Sequence, residues 1–286
     1  PIDIVASAEI HSSVPKALRL AGLGVGAVHE IPTDEWGRAR PDAVPSAVLE
    51  SDRPTLVLLQ AGNVNTGHSD PVAAIIDRFD PATSWVHVDG AFGLWANAAP
   101  DRRHLLDGVE LADSWATDGH KWLNTPYDCG VVIVADPAAL TTSMAMNAAY
   151  AGAAGGRNPM NLGLQMSQGA RAIPVWAILA TLGRAGVAEG IERCCRHAER
   201  FAAELSAGGV EVLCPPALNQ LLVAFGDDDS TDAIIERVQQ SRDAWMGGTT
   251  WNGRRAMRIS VSDTSTTEAD VDRAVATILA ACSTTG

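Results

Sequence analysis

The chain has 286 residues and a mass of 29.9 kDa; 47% are apolar and 19% charged, enough for a sizeable core and unlike a disordered tail. Thirty-four acids against 21 bases leave a net charge of −13, with no Lys/Arg cluster of the kind that grips a phosphate backbone or an anionic lipid surface, so neither nucleic acid nor a membrane is an expected partner. Gly, Pro, Asp or Arg interrupts every apolar run short of the roughly 18 residues that a membrane helix needs, and the start PIDIVASAEI lacks the basic-then-apolar order of a signal peptide.

Taken in chain order, His11 to Leu20 reads as a helix that Ser12 and Ser13 can cap. Pro54 to Gln60 is a continuous apolar run that reads as a buried strand leaving through Ala61-Gly62. After the loop GNVNTGHS, Asp70-Pro71 opens a helix through Ile75 and Ile76. Trp85 to Asp89, Ser114 to Thr117 and Cys129 to Ala135 are further strands. From Pro137 to about Met166 the text is Ala-, Gly- and Asn-rich and reads as a long loop. Helices follow over 170–183 and 187–207, then strands at 210–213 and 220–225, a helix over 231–240, a strand over 256–261 and a helix over 268–282 that opens on Thr266, Thr267, Glu268 and Asp270. Strands alternating with helices point to an α/β fold, with a mostly parallel sheet in a large domain over 1–185 and a small α+β domain over 186–286.

The five cysteines are odd in number and scattered, and adjacent Cys194 and Cys195 suit a helix interior better than a disulfide framework, so a cytoplasmic protein with reduced thiols is expected. The seven histidines show no H-x-H or H-x-x-x-H spacing, and no metal site is expected. Ligands of an open parallel sheet lie beyond the carboxyl ends of its strands. Three polar groups arrive there: the loop of Asn63, Asn65 and Thr66, the strand-end Asp89, and the pair His120-Lys121. A carboxylate ending an apolar strand needs a cationic or hydrogen-bonded partner, and a lysine in an apolar setting becomes nucleophilic. Lys121 is one of only two lysines, beside Lys16, against nineteen arginines, so it is no part of a generic basic surface. A pyridoxal phosphate enzyme needs such a pair: a lysine for the Schiff base and a carboxylate facing the pyridine nitrogen. His11 is a candidate for an imidazole stacked on the ring, and the small Ala91 would let the other face lie close.

The segments HSSVPKALRLAGLG at 11–24, GNVNTGHSDP at 62–71, HVDGAFG at 87–93, ADSWATDGHKWLNTPYDCG at 112–130 and MRISVSDTSTTEADVDRAV at 257–275 resemble, in one order, the group II pyridoxal-phosphate-dependent amino-acid decarboxylases, the family of the aromatic amino-acid and glutamate decarboxylases. The resemblance implies the type I aspartate aminotransferase fold, pyridoxal 5'-phosphate as cofactor, a homodimer, and decarboxylation of an L-amino acid. It makes Lys121 the Schiff-base lysine, Asp89 the partner of the ring nitrogen, and His11 and Ala91 the two faces of the ring. His120 and Asp118 fall where phosphate and active-site contacts lie, although the family often has Asn at the latter position and an acid there would repel a phosphate. The loop of Asn63 to Thr66, Asn65 among them, falls near the ring oxygen. Tyr150, 29 residues after Lys121, falls where a mobile loop carries the tyrosine that protonates the α-carbon.

Two departures stand out. Gln168-Gly169 replaces a basic pair, with Arg171 kept nearby, and the chain starts just before the His11 helix. The phosphate-cradling loop of the family precedes that point, so a fragment, a processed chain or one half of a split enzyme is an open expectation. Transamination, oxidative deamination, or carbon–sulfur or aldol cleavage, on the same scaffold is the alternative chemistry, with Arg258 able to hold a carboxylate. Trp122 and Trp251 fit aromatic pocket surroundings and core packing equally.

Overall fold

A computed structural model describes residues 1–26, 28–145 and 158–283. In chain order the elements are β1 (Asp3–Ser7), α1 (Ser13–Leu20), β2 (Val28–Ile31), α2 (Ser46–Leu49), β3 (Thr55–Gln60), α3 (Val72–Ile76), β4 (Ser84–Asp89), β5 (Ser114–Asp118), β6 (Gly130–Val134), α4 (Pro137–Met144) and α5 (Ala172–Ala207). There follow β7 (Glu211–Val212), β8 (Gln220–Ala224), α6 (Asp228–Ser241), β9 (Gly247–Trp251), β10 (Arg254–Ser260) and α7 (Glu268–Ser283).

Six strands form one sheet in the order β2-β1-β3-β4-β5-β6. All its pairs are parallel except β5 with β6. Parallel strands are covered on both faces, which is why β3 reads as unbroken Leu and Val instead of alternating with polar residues. The second sheet, β7-β8-β10-β9, is antiparallel. The fold is thus α/β, a mostly parallel sheet followed by a smaller antiparallel one.

One core spans both sheets. Val57, Leu59, Val86 and Val88 of the first sheet belong to one buried cluster with Cys194, Ala198, Phe201 and Leu205 of α5, and the same cluster continues into Leu221, Val223 and Met257 of the second sheet. None of the five cysteines is disulfide-bonded, and four of them are buried.

Several local expectations change. Pro137 to Met144 is a helix inside the segment read as a loop. Asp136 accepts the Ala138 N–H at 2.8 Å, and Pro137 fits the first turn, where its missing N–H costs nothing. The serines do not cap α1: Ser12 makes no capping bond, and the Ser13 hydroxyl turns back to the ring of His11 instead. Thr267 and Asp270 do form a reciprocal cap on α7, with the Thr267 N–H donating to Asp270 Oδ2 at 2.8 Å and the Asp270 N–H to Thr267 Oγ1 at 3.3 Å. The two helices expected over 170–183 and 187–207 are both present within α5 and meet at a non-helical Gly183. By length and composition alone this α5 is apolar enough to cross a membrane, because glycine and a lone arginine interrupt the text without making it polar. Its second half is nonetheless committed to the protein core through Val187, Ile191, Cys194 and Phe201.

Candidate active site

The parallel strands β1, β3, β4 and β5 all end at one edge of the sheet, and their end-loops interlock there. Gly62 adopts φ +92°, and a Cβ on it would meet the Phe92 ring at 2.9 Å; one on Gly93 would overlap the Ala61 carbonyl oxygen. Only glycine lets the turns after β3 and β4 approach this closely. Hydrogen bonds continue the ladder past the strands: the Ala61 N–H donates to the Asp89 carbonyl, the Gly90 N–H to Ala116, and the Asp118 N–H to Ala91, each at 2.8 Å.

Asp89 ends β4, and its Oδ1 accepts the Ala91 N–H at 3.0 Å, a turn that presents the carboxylate and the Ala91 methyl from one short segment. Two residues back on the same strand face, His87 bonds through Nδ1 to the Ser114 hydroxyl at 2.9 Å, and that oxygen also accepts from Trp85 Nε1 at 2.8 Å. Burial pushes the His87 imidazole below its usual pKa, with the Asp89 charge pulling the other way.

His11 lies in the loop after β1. The side-chain amides of Gln60 and Asn63 donate to the Glu9 carbonyl at 3.0 and 3.4 Å and hold that loop against the end of β3. The Ser13 N–H donates to His11 Nδ1 at 3.2 Å, and the Ser13 hydroxyl lies 2.8 Å from the same nitrogen. With Nδ1 accepting, a neutral ring carries its proton on Nε2.

Lys121 follows β5 through Gly119 and His120. The Asn124 side chain clamps this turn to the second sheet. Its Nδ2 donates to the carbonyls of Lys121 at 2.8 Å and Ser262 at 2.9 Å, while its Oδ1 accepts the Thr264 N–H at 2.9 Å. From the second sheet Arg258 reaches across to donate to the Val64 carbonyl at 3.0 Å. Burial lowers the pKa of its guanidinium, and no carboxylate among the described residues forms an ion pair with it. An anion entering here therefore meets a desolvated cation whose charge is not already compensated.

His11, Asp89, Lys121 and Arg258 line one cavity of about 250 Å³. Of the residues singled out from the sequence, His11, Asp89, Ala91 and Lys121 line it together. Gln60, Gly62, Val64 and Phe92 add the rest of the first-sheet wall, and Gln220, Arg258, Ser260 and Ser262 the second-sheet wall. Asp118, His120 and Asn65 do not line it. Asp118 pairs with Lys121, its Oδ2 lying 3.0 Å from Nζ. His120 bonds through Nδ1 to the Cys129 carbonyl at 3.2 Å and lies against the ring of Tyr127. Asn65 Oδ1 accepts from the Thr249 hydroxyl at 2.9 Å, tying its loop to β9. Tyr150 lies outside the described residues. Sequence reasoning missed Asn124 and Gln60, and it placed Asn63 in a loop near the cofactor where the structure has its amide positioning the Glu9 carbonyl; a side-chain amide beside a chemistry-bearing residue was the one signal available.

The donor set suits a pyridine ring. A carboxylate with one oxygen already fixed, an imidazole, a methyl group and an amine converge from three separate segments, the Asp89–Ala91 turn supplying two of them.

Comparisons with known proteins agree with this geometry. The pyridoxal-dependent decarboxylase conserved domain matches residues 2–226. Tryptophan decarboxylase 1 of Oryza sativa subsp. japonica is 29% identical over 91% of this chain and 55% of its own length. An aromatic-L-amino-acid decarboxylase of Bacillus atrophaeus is also 29% identical, over 80% of this chain and 50% of its own. Among solved structures, the Oryza sativa enzyme with PLP and tryptamine superposes with a TM-score of 0.92 at 25% identity, covering 99% of this chain and 63% of that one. Apo mouse CSAD, at 21% identity and a TM-score of 0.88, shares the fold. The chain spans about half the length of the curated relatives it matches.

Proposed function

The chain belongs to the pyridoxal-dependent decarboxylases, and from that premise we propose that it serves pyridoxal-phosphate-dependent decarboxylation of an L-amino acid to an amine and carbon dioxide. The observation that carries the reading is the convergence of His11, Asp89, Ala91 and Lys121 in one cavity from positions as much as 110 residues apart in sequence (121 − 11).

When bound, pyridoxal phosphate supplies an electron sink for the pair released as carbon dioxide leaves. The residues would hold it as follows. Lys121 provides the amine for its carbonyl carbon. Asp89 takes the proton-bearing ring nitrogen, and a carboxylate there keeps that proton in place. The His11 imidazole and the Ala91 methyl flank the ring, and Ser13 fixes the His11 tautomer so that Nε2 carries the proton. Val64 and Phe92 form the apolar part of the wall and keep water from the reacting carbon. Arg258 receives a carboxylate of the incoming amino acid; its burial strengthens that interaction over one in open solvent. Proton return to the α-carbon falls to Tyr150, by the resemblance, or to Lys121.

The same reading extends to a homodimer in the cytoplasm, with the chain divided near residue 185. Support comes from the exposed Ile173, Trp176, Leu179 and Leu182 on the first half of α5, from five cysteines without a disulfide, and from the helix break at Gly183.

The first test mixes the chain with pyridoxal phosphate, reduces with borohydride and maps adducts by peptide mass spectrometry. The expected adduct is confined to Lys121. No adduct, or one shared equally with Lys16, overturns the site. A product screen over amino acids then separates amine from keto acid, and keto acid alone would move the assignment to the aminotransferase chemistry that Arg258 also accommodates.

A further inference from the structure

Asp118 is an anion at a position where the resemblance places a contact to the cofactor's phosphate, and its surroundings give it a different task. Its backbone is fixed without its side chain: the N–H donates to the Ala91 carbonyl at 2.8 Å, and the carbonyl accepts from Trp95 Nε1 at 3.1 Å. The side chain is then available to its neighbours. Oδ2 lies 3.0 Å from Lys121 Nζ and 3.8 Å from His120 Nε2. His120 is anchored from behind by the Cys129 carbonyl, so its ring does not swing away from the carboxylate. Lys121 lines the cavity and Asp118 does not, which puts the ion pair at the cavity wall and the carboxylate outside it. A phosphate brought beside this carboxylate would be repelled; an ammonium is attracted.

We infer that Asp118 is a positioning residue for Lys121: it holds the ε-amino group at the cavity wall until a carbonyl ligand takes that group. An amino group attacks a carbonyl through its lone pair, after giving up a proton to solvent and leaving its ion-pair partner, so the pair slows every reaction of Lys121 with an electrophile while fixing where the nitrogen waits. The side chains are 24% and 39% exposed, so the effect is modest, roughly two- to fivefold, the range that a partly solvated ion pair supplies. The inference deepens the proposed function and rests on that reading of Lys121.

The presence of only two lysines gives the test an internal reference. The chain is acetylated with limiting acetic anhydride at one pH, and the ratio of Lys121 to Lys16 labelling is read by peptide mass spectrometry. Asp118→Asn is expected to raise the ratio roughly two- to fivefold, and Asp118→Glu, which restores the charge, to bring it back toward the wild-type value. An unchanged ratio in the Asn variant, or an equal rise in both variants, overturns the inference. The wild-type chain gives a second measurement that needs no substitution: added salt screens the pair and should raise the ratio, and a ratio indifferent to salt also overturns it. No cofactor enters this experiment. A failure of pyridoxal phosphate to label Lys121 would therefore sink the proposed function while leaving the labelling ratio to decide on Asp118.

Discussion

Asp70 shows how a residue beside the cavity can matter without entering it. Its two oxygens accept the Ala39 and Gln60 N–H groups, both at 2.7 Å, so one buried carboxylate ties the segment before α2 to the end of β3, where Gln60 lines the cavity. Burial outweighs those two hydrogen bonds, with a further push from the Asp34 charge, and lifts the carboxyl from 3.8 to about 6. The sign follows from linkage. Between about pH 4 and 6 the folded state binds this proton more tightly than the unfolded chain does, so the contribution of Asp70 to stability falls as pH rises through that window. The slope stays below the roughly 1.4 kcal/mol per pH unit of a full proton. Urea unfolding of the wild-type and Asp70→Asn chains from pH 4 to 7 should show the advantage of the wild type shrinking across the window and constant above it; parallel curves would refute the assignment. Only the helix-opening position of Asp70 before Pro71 could be read from the sequence, because its partners are backbone N–H groups 10 and 31 residues away. Lys121 and Asp89 were singled out for the opposite reason: their chemistry lies in the side chain and strand-end position marks it, whereas His11, behind an unanticipated β1, was singled out by the resemblance. The amides of Asn124, Gln60 and Asn63 act by holding carbonyls, and no sequence pattern reports which carbonyl an amide will meet.

Elements were legible where apolar runs were long. β3, β4, α6 and α7 appear close to where the text places them, whereas β1, β2 and β9 were not anticipated. β1 is five residues that begin on a buried Asp3, β2 carries His29 and Glu30, and β9 opens on two glycines; each is held by a neighbour more than by its own propensity. Partner strands supply that support through the registers of β1 with β2 and β3, and of β9 with β10. α5 shows the reverse case, in which a single residue changes an element's course. Gly183 has φ 60° and ψ −175°, a region essentially reserved for glycine, inside a 36-residue helical run. Ahead of it Ile173, Trp176, Leu179 and Leu182 are exposed; after it Val187, Ile191 and Cys194 are buried. A Cβ at Gly183 would meet nothing within 4 Å, so substitution meets backbone strain alone and no clash. Gly183→Ala should therefore destabilise the chain by about 1–3 kcal/mol in urea unfolding. In an unbroken helix the same change would stabilise by about 0.5–1 kcal/mol, so a gain in stability would show that the break is absent in solution.

At the scale of the whole molecule, the cavity belongs to neither sheet alone. Asp89 and Lys121 come from the first sheet and its loops, Gln220, Arg258 and Ser260 from the second, and the seam between them is hydrogen-bonded by Asn124, Asn65 and Arg258. The hydrophobic core is likewise shared, since α5 buries one continuous cluster against strands of both sheets. The sequence pattern shows two groups of elements and suggests two domains; periodicity marks where an element is, and the structure adds which faces are buried together. A shared core couples two such domains: exposing the second sheet strips apolar area from α5, which packs on β7 and β8, about 25 cal/mol for each Å². Unfolding either sheet alone would therefore leave the other with its buried face in water, and the two should lose structure together. Equilibrium urea unfolding followed by tryptophan fluorescence and by far-ultraviolet circular dichroism is expected to give coincident single transitions, with the ability of Lys121 to outcompete Lys16 for pyridoxal phosphate lost at the same midpoint. Separate transitions would mean that the seam is weaker than its buried contacts indicate, and loss of Lys121 selectivity ahead of both would place the weakest point in the loops that build the cavity.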